Sequence, residues 1–154
     1  MPRRRAHAPL RVLLNNRPVG RLNKAATGAI DFLYEPAWLE WEHAMPVSLS
    51  LPLREDAYRG AAVTAVFDNL LPDSDALRRR VAEKVGAGGM DFYSLLAAIG
   101  RDCVGALQFL GPDDASYEGE SGAITGETIN AAAIEKLLQG LSQAPLGLSR
   151  DEDF

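Results

Sequence analysis

The sequence predicts an α+β fold: a small, curled antiparallel β-sheet or barrel with inserted short helices, followed by a linker and a C-terminal helix. Three features of the hydrophobic pattern predict it. Apolar and polar residues alternate over much of residues 10–51, which is typical of strands with one buried face. From about Gly60 to Gly100 the apolar residues recur at helical spacing. Residues 103–110 then return to a strand pattern before a polar stretch and one more helical segment.

The first three strands are predicted within residues 10–34. Residues 10–24 predict a β-hairpin, because apolar residues alternate on both sides of Asn15-Asn16, a pair that tolerates positive φ in a turn. Residues 30–34 predict a third strand, with every second residue from Ile30 to Tyr34 on one face.

A helical turn and a fourth strand are predicted next. Pro36 suits a first helical position, so we expect a short helix that continues to about Trp41. Residues 47–51 read Val-Ser-Leu-Ser-Leu, and this alternation predicts a strand. Pro52 would end that strand, as expected at the edge of a sheet.

Two helices are predicted between Gly60 and Val85. The first ends at Pro72, and the second is capped by Asp73 or Ser74. The second helix is expected to carry a solvated outer face of basic residues, namely Arg78, Arg79, Arg80 and Lys84.

A third helix and a returning strand complete this unit. Asp91 is expected to cap the helix, and Gly100 is a natural stop for it. The strand is predicted from Cys103 to Leu110.

The C-terminal part of the sequence has a different character. Residues 111–126 are rich in Gly, Asp, Glu and Ser, which predicts a linker. Thr128 or Asn130 is then expected to start a helix that continues to about Leu141.

Composition places the chain among soluble globular proteins. Its 154 residues suit about one domain, and 47% of them are hydrophobic while 24% are charged. No apolar run approaches the ~20 residues that a membrane span needs. The single Cys103 excludes an intrachain disulfide, and Arg3-Arg4-Arg5 does not lead into a secretory signal. We therefore expect a cytoplasmic protein with no membrane partner.

Charge is unevenly distributed along the chain. Seven basic residues precede the first acidic residue, Asp31, whereas every charge from Gly111 to Glu127 is acidic. Clustered Lys and Arg can bind phosphates or an acidic protein surface. Because the formal net charge is −5, we expect a solvated hairpin and no direct contact with nucleic acid.

No catalytic constellation can be assembled from the sequence. The chain has only two histidines, His7 and His43, which support neither a nucleophilic triad nor a metal site. Gly86-Ala87-Gly88-Gly89 joins two predicted helices and lacks the Gly-Lys-Ser/Thr ending of a phosphate-binding loop. We therefore predict no catalytic, cofactor-binding or metal-binding residue in this chain.

Several segments resemble, in order, the N-terminal region of the HipA family of toxin-type Ser/Thr protein kinases. The resemblance covers nearly the whole chain and is carried by five main segments: Val19-Gly20-Arg21-Leu22 in the opening hairpin, Phe32 to Leu39 (Phe-Leu-Tyr-Glu-Pro-Ala-Trp-Leu), Val47 to Leu53 (Val-Ser-Leu-Ser-Leu-Pro-Leu), Phe67 to Ser74 (Phe-Asp-Asn-Leu-Leu-Pro-Asp-Ser), and Ile99 to Asp102 with Val104-Gly105-Ala106. The resemblance implies glycines at tight turns or close backbone approaches, with Gly20 and Gly100 among them.

The resemblance also implies partners and chemistry. A parent kinase of this family would bind ATP and Mg²⁺, phosphorylate a translation component such as glutamyl-tRNA synthetase, and be held by a HipB-like helix-turn-helix antitoxin. Its Ala-Gly-Ala-Gln-Glu-Lys-type nucleotide loop would follow the region seen here, and this sequence contains none. By itself this chain is expected to be inactive, because phosphoryl transfer needs those groups around phosphate and magnesium.

Three hypotheses follow for the function. The first is an N-terminal regulatory and scaffolding region, with residues 9–111 as the HipA-like subdomain, 112–127 as an acidic linker and 128–154 as a helix and lead-in to a kinase core absent from the chain. The alternative is a free-standing, antitoxin-like regulator that docks on and inhibits a separate HipA-like kinase. A third is an unrelated module whose basic hairpin contacts DNA.

Five residues are candidates for contact with a kinase core, in cis or in trans, or with a HipB-like antitoxin: Trp38, Trp41, Asp68, Asn69 and Asp73. On a one-turn helix, one tryptophan can pack inward while the other faces a partner. The competing interpretation is that both tryptophans pack in the core.

Overall fold

Five antiparallel strands form one open sheet in the computed structural model, which describes residues 7–102, 106–112 and 126–141. The strands are β1 (Leu10–Leu14), β2 (Arg17–Lys24), β3 (Ile30–Tyr34), β4 (Tyr58–Arg59) and β5 (Leu107–Leu110). Their order across the sheet is β4-β3-β2-β1-β5. The α+β prediction is confirmed, and the sheet is open and not closed into a barrel.

Helices α1 to α5 are Pro36–Leu39, Ala61–Asp68, Asp75–Val85, Phe92–Ile99 and Ala131–Gly140. A 3-10 turn, Gly100–Asp102, follows α4. The side chains of Ser74, Asp91 and Asn130 accept hydrogen bonds from backbone N–H groups in the first turns of α3, α4 and α5. These caps satisfy donors that a helix start leaves unpaired, as the sequence predicts.

The β1–β2 hairpin follows the predicted turn. Asn15 and Asn16 have φ values of 49° and 64°, the left-handed pair that a two-residue hairpin turn needs. Leu10 pairs with Leu22, and the register shifts between Val12 and Leu13.

An aromatic cluster joins the sheet to the helices. The ring of Phe67, in α2, lies 5.3 Å from Phe32 of β3 and 5.6 Å from Phe109 of β5, measured between centroids. All three side chains are buried. Phe67 therefore ties the two halves of the sheet to one helix and anchors the core.

Two glycines permit this packing by close backbone approach. A Cβ on Gly20 would lie 2.5 Å from the carbonyl oxygen of Leu33 and 2.6 Å from the Phe32 ring. A Cβ on Gly100 would lie 2.5 Å from the Cβ of Phe109. Both positions therefore require glycine, as the family resemblance implies.

The strand predicted for residues 47–51 is wrong. The backbone there forms turns and bends, and the edge of the sheet is taken by β4, whose Tyr58 pairs with Phe32. The N–H of Val47 donates to the Tyr34 hydroxyl at 3.0 Å, and that hydroxyl donates to the Leu51 carbonyl oxygen. An anchored loop can therefore show the same apolar alternation in sequence as a strand. In a strand Leu49 and Leu51 would share one face, whereas in this loop Leu51 is buried and Leu49 is 94% exposed.

The prediction that Arg78 lies on the solvated outer face of α3 is also wrong. The Arg78 side chain is only 13% exposed and forms an ion pair with Asp68 at 2.7 Å. Arg79 and Arg80 are exposed as predicted, whereas Lys84 is half-buried.

Several predictions fall on residues outside the described ranges. These are the start of the returning strand at Cys103, most of the predicted linker and the segment after Leu141. No helix within the described ranges combines the length and the apolar character that crossing a bilayer requires.

Candidate partner-binding surfaces

Within residues 7–102, 106–112 and 126–141, no group of three His, Cys, Asp or Glu side chains is arranged to hold a metal ion. The two histidines lie in separate ring contacts. His7 meets Tyr93 edge-on with centroids 5.9 Å apart, and His43 meets Trp41 at 5.4 Å. The functional candidates that remain are surfaces that could bind a partner.

An open groove beside the β1–β2 hairpin is lined by basic and aromatic side chains. Its volume is ≈ 310 Å³. We call it the arginine–tryptophan groove, and its lining residues are Arg11, Arg17, Pro18, Gly20, Arg21, Glu35, Ala37, Trp38 and Trp41. The fold thus brings the two candidate tryptophans to the basic hairpin.

The tryptophans differ in exposure, since Trp38 lies in α1 and Trp41 lies two residues after its end. Trp38 is 4% exposed, and its indole N–H donates to the carbonyl oxygen of Met45 at 3.0 Å. Trp41 is half-buried and lies 5.1 Å from Trp38 between ring centroids. One indole therefore belongs to the core, and the other forms part of the groove surface.

Arg17 covers the Trp41 ring. Its guanidinium carbon lies 4.2 Å from the ring centroid, which is a cation–π contact. Such stacking uses the flat face of the guanidinium and leaves its N–H donors directed outward in the plane of the group.

Arg21 lies opposite another arginine on the neighbouring strand. Arg11 and Arg21 are paired in the β1–β2 register, and like charges at directly opposite positions repel. Glu35 offsets this repulsion, because its carboxylate accepts from Arg21 Nε at 2.8 Å. The Arg21 side chain is still 58% exposed.

A second groove lies between the 47–51 loop and α2, with a volume of ≈ 450 Å³. Its lining is mostly small or apolar: Val47, Ser48, Ser50, Ala62, Ala65, Val66, Asn69, Leu70 and Leu107. Leu49, between the two serines, is 94% exposed. We call this groove together with Leu49 the Leu49 face. Exposed apolar surface of this kind is typical of interaction sites.

The corner between α2 and α3 is braced internally. Arg78 donates from Nη1 to the Asp68 carboxylate at 2.7 Å and from Nη2 to the Asp68 carbonyl oxygen at 3.4 Å. Nε of the same guanidinium donates to the carbonyl oxygen of Pro72. The hydrogen bond with Asp68 raises the pKa of Arg78 above its usual value. Asp68 therefore has a structural partner within the chain.

The five predicted site residues thus fall in four places. Trp38 and Trp41 lie together in the arginine–tryptophan groove. Asn69 is exposed and lines the Leu49 face, Asp68 braces the α2–α3 corner, and Asp73 is exposed just before α3.

Sequence reasoning missed the residues that accompany these candidates. Arg17, Arg21 and Glu35 line the same groove as Trp41, and the excess of basic residues at the start of the chain is a signal for the two arginines only. The sequence predicts a strand over residues 47–51, which would place Leu49 on the same face as Leu51, so the exposure of Leu49 is not predicted.

Helix α5 presents apolar side chains without burying any of its residues. The large apolar residues in and beside it, Ile129, Ile134, Leu137, Leu138 and Leu141, are 40–61% exposed. A helix with such a face generally needs a partner surface.

Comparison with known proteins gives consistent matches. The family model described as HipA N-terminal domain matches residues 10–110. The Sinorhizobium fredii protein named "Putative kinase Y4mE" is 31% identical over 140 residues, which cover 89% of this chain and 33% of that protein. This chain therefore spans about a third of that relative.

A solved structure shares the fold. It is described as the Shewanella oneidensis MR-1 toxin–antitoxin system HipA, HipB and its operator DNA complex, and it matches with a TM-score of 0.57 and 25% sequence identity. The match covers 84% of this chain and 29% of that one.

Proposed function

Because the chain belongs to the HipA family, we propose that it is the N-terminal regulatory and scaffolding region of a HipA-like Ser/Thr protein kinase toxin of a type II toxin–antitoxin system. One observation carries this proposal: the HipA N-terminal domain accounts for residues 10–110. The relative named as a kinase is about three times as long as the part that this chain matches. In this proposal the catalytic core lies outside the 154 residues.

The chemistry of phosphoryl transfer is the reason that this proposal assigns catalysis to the kinase core and a binding role to this chain. That reaction depends on positioned phosphates, Mg²⁺ and a base or orienting carboxylate. The sequence contains no Ala-Gly-Ala-Gln-Glu-Lys-type loop. ATP and Mg²⁺ are therefore proposed as cofactors of the kinase core, while this chain supplies binding surface.

We place the contact with the kinase core on the Leu49 face. Leu49 is 94% exposed beside an open groove of ≈ 450 Å³. Transfer of one leucine side chain from water to an apolar interface contributes about 1.5–3 kcal/mol. The Tyr34 hydroxyl holds the loop at Val47 and Leu51, so Leu49 is presented from an anchored loop. The apolar face of α5 is a second candidate for the same partner.

The second proposed partner is a HipB-like helix-turn-helix antitoxin. Support comes from the structural neighbour, which is a HipA in a complex with HipB and operator DNA. In our proposal the antitoxin contacts the DNA and this chain does not, in keeping with the net charge of −5.

Binding between the purified chain and the kinase core tests the proposal. The core is taken from the reading frame beyond codon 154 or, if a stop codon follows Phe154, from the neighbouring kinase gene. We expect measurable affinity by calorimetry, and we expect Leu49→Asp to weaken it at least about tenfold. Met90→Asp is the matched control, since Met90 is also exposed and lies in the loop before α4.

Two results would contradict the proposal. Absence of binding to the core would remove the scaffolding role, and micromolar binding of ATP·Mg by the chain alone would show that catalysis does not lie elsewhere. A core that binds in trans and loses kinase activity would identify the free-standing regulator, the alternative form of the same role.

A further inference from the structure

We propose that the arginine–tryptophan groove binds an acidic peptide segment of a partner protein. Carboxylates of the peptide would pair with Arg17 and Arg21, and an apolar side chain between them would pack against Trp41. This inference goes beyond the regulatory role, because it needs no kinase core and concerns a different surface from the Leu49 face.

The charge of the groove calls for an anion. Three arginines and one glutamate line it, although the chain as a whole has a net charge of −5. Glu35 pairs only with Nε of Arg21, so the terminal nitrogens of Arg21 and the guanidinium of Arg17 are placed to pair with carboxylates of a ligand.

The donors needed for carboxylates are already oriented. Stacking on Trp41 at 4.2 Å occupies the face of the Arg17 guanidinium, and no acceptor within the described residues is bonded to its N–H groups. Arg21 uses Nε for Glu35, which leaves its two terminal nitrogens for a ligand. Each guanidinium can therefore form the paired N–H···O bonds that suit a carboxylate.

The rest of the groove favours a peptide over a nucleic acid. Pro18, Ala37 and Trp41 contribute apolar lining, which suits a side chain and not a sugar–phosphate backbone. The volume of ≈ 310 Å³ suits a few side chains, whereas duplex binding requires an extended basic surface.

Tryptophan fluorescence reports directly on this site, because the only two tryptophans of the chain both line the groove. The test is titration of the full chain with an end-capped Glu-Leu-Glu-Leu-Glu peptide. We expect a saturable change in emission that weakens as salt is added. The uncharged Gln-Leu-Gln-Leu-Gln peptide should bind at least about tenfold more weakly.

Charge-reversal variants locate the binding. Arg17→Glu and Arg21→Glu should each weaken binding about fivefold or more, since an exposed ion pair contributes up to about that factor and reversal adds repulsion. Arg79→Glu and Arg80→Glu make the same change in net charge on the exposed face of α3 and should alter the affinity less than about twofold. Circular dichroism confirms that each variant is folded.

Four outcomes would overturn the proposal: no saturable signal, equal binding of the glutamine peptide, equal losses in the α3 variants, or tighter groove-dependent binding of an oligonucleotide. The last outcome would assign the groove to nucleic acid. None of them bears on binding to the kinase core, which Leu49→Asp tests separately.

Discussion

Replacing Tyr34 by phenylalanine should destabilise the protein by about 2–3 kcal/mol, because one hydroxyl group holds both ends of the 47–51 loop. Tyr34 is 2% exposed; its hydroxyl accepts from the Val47 N–H at 3.0 Å and donates to the Leu51 carbonyl oxygen. The substitution keeps the ring and leaves no large cavity. The loss is therefore that of one buried and one partly buried backbone partner, each about 1–3 kcal/mol, with the lower part of the range expected where water can enter.

Tyr58→Phe is the matched control. The Tyr58 hydroxyl donates to a single acceptor, the Pro52 carbonyl oxygen, at 2.6 Å. Removing one such bond should cost about 1 kcal/mol. The structure therefore predicts that the Tyr34 variant loses at least twice as much stability as the Tyr58 variant.

Urea denaturation followed by circular dichroism measures both losses. The midpoint should fall without a change in slope, and Tm should fall by about 4–12 °C for Tyr34→Phe in a domain of this size. The same variant should bind the kinase core more weakly, although Leu49 is intact, because the loop that presents it is no longer anchored. Equal losses for the two tyrosines, or a loss under about 0.5 kcal/mol at Tyr34, would refute this account of the loop.

Three further predictions concern the core, the response to pH and the α2–α3 corner. Gly20→Ala should lower the free energy of unfolding by about 1–3 kcal/mol, because the new Cβ would lie 2.5 Å from the Leu33 carbonyl oxygen. Gly88 has open space around it, so Gly88→Ala should change the free energy of unfolding by less than about 0.5 kcal/mol. Burial raises the pKa of Tyr93 to about 12. The unfolded chain therefore loses this proton first, and stability should fall as pH rises from about 10 toward 12, less steeply in Tyr93→Phe when unfolding is followed against pH. Asp68→Ala should reduce the free energy of unfolding by about 1–2 kcal/mol in urea denaturation, because it removes a carboxylate 2.7 Å from the partly buried Arg78 side chain. Asp73→Ala, at an exposed position, should reduce it by less than about 0.5 kcal/mol.

Most of the regular structure could be predicted from the sequence because its signals are local. The Asn15-Asn16 turn and the caps at Ser74, Asp91 and Asn130 depend on contacts that span no more than a few residues. The loop after Pro46 could not be predicted in this way. The alternation of apolar and polar residues over 47–51 is compatible with both a strand and an anchored loop. The loop forms because the Val47 N–H donates to the Tyr34 hydroxyl, which is distant in sequence.

The candidate site was predicted only in part. Trp38 and Trp41 could be singled out because they are three positions apart on a predicted helical turn, where one can pack inward while the other faces a partner. Their cationic neighbours could not, since Arg17 meets Trp41 across 24 positions of sequence and Arg21 meets Glu35 across 14. The sequence predicts that Asp68 contacts a partner. Its contact with Arg78 could not be predicted, because the two residues are ten positions apart and lie in different helices.

The sequence by itself determined the α+β class, the hairpin, the capped starts of three helices and the family, because hydrophobic period, turn residues, caps and motif order are local features of the chain. The ends of α1 and α2 lie earlier than predicted, at Leu39 and Asp68. Tertiary structure alone decided that Leu49 is exposed, that Arg78 lies inward and that arginines and tryptophans share one groove. Each of these results depends on which distant backbone and side-chain groups the sheet brings within contact, and burial and hydrogen bonding between such groups outweigh local preference.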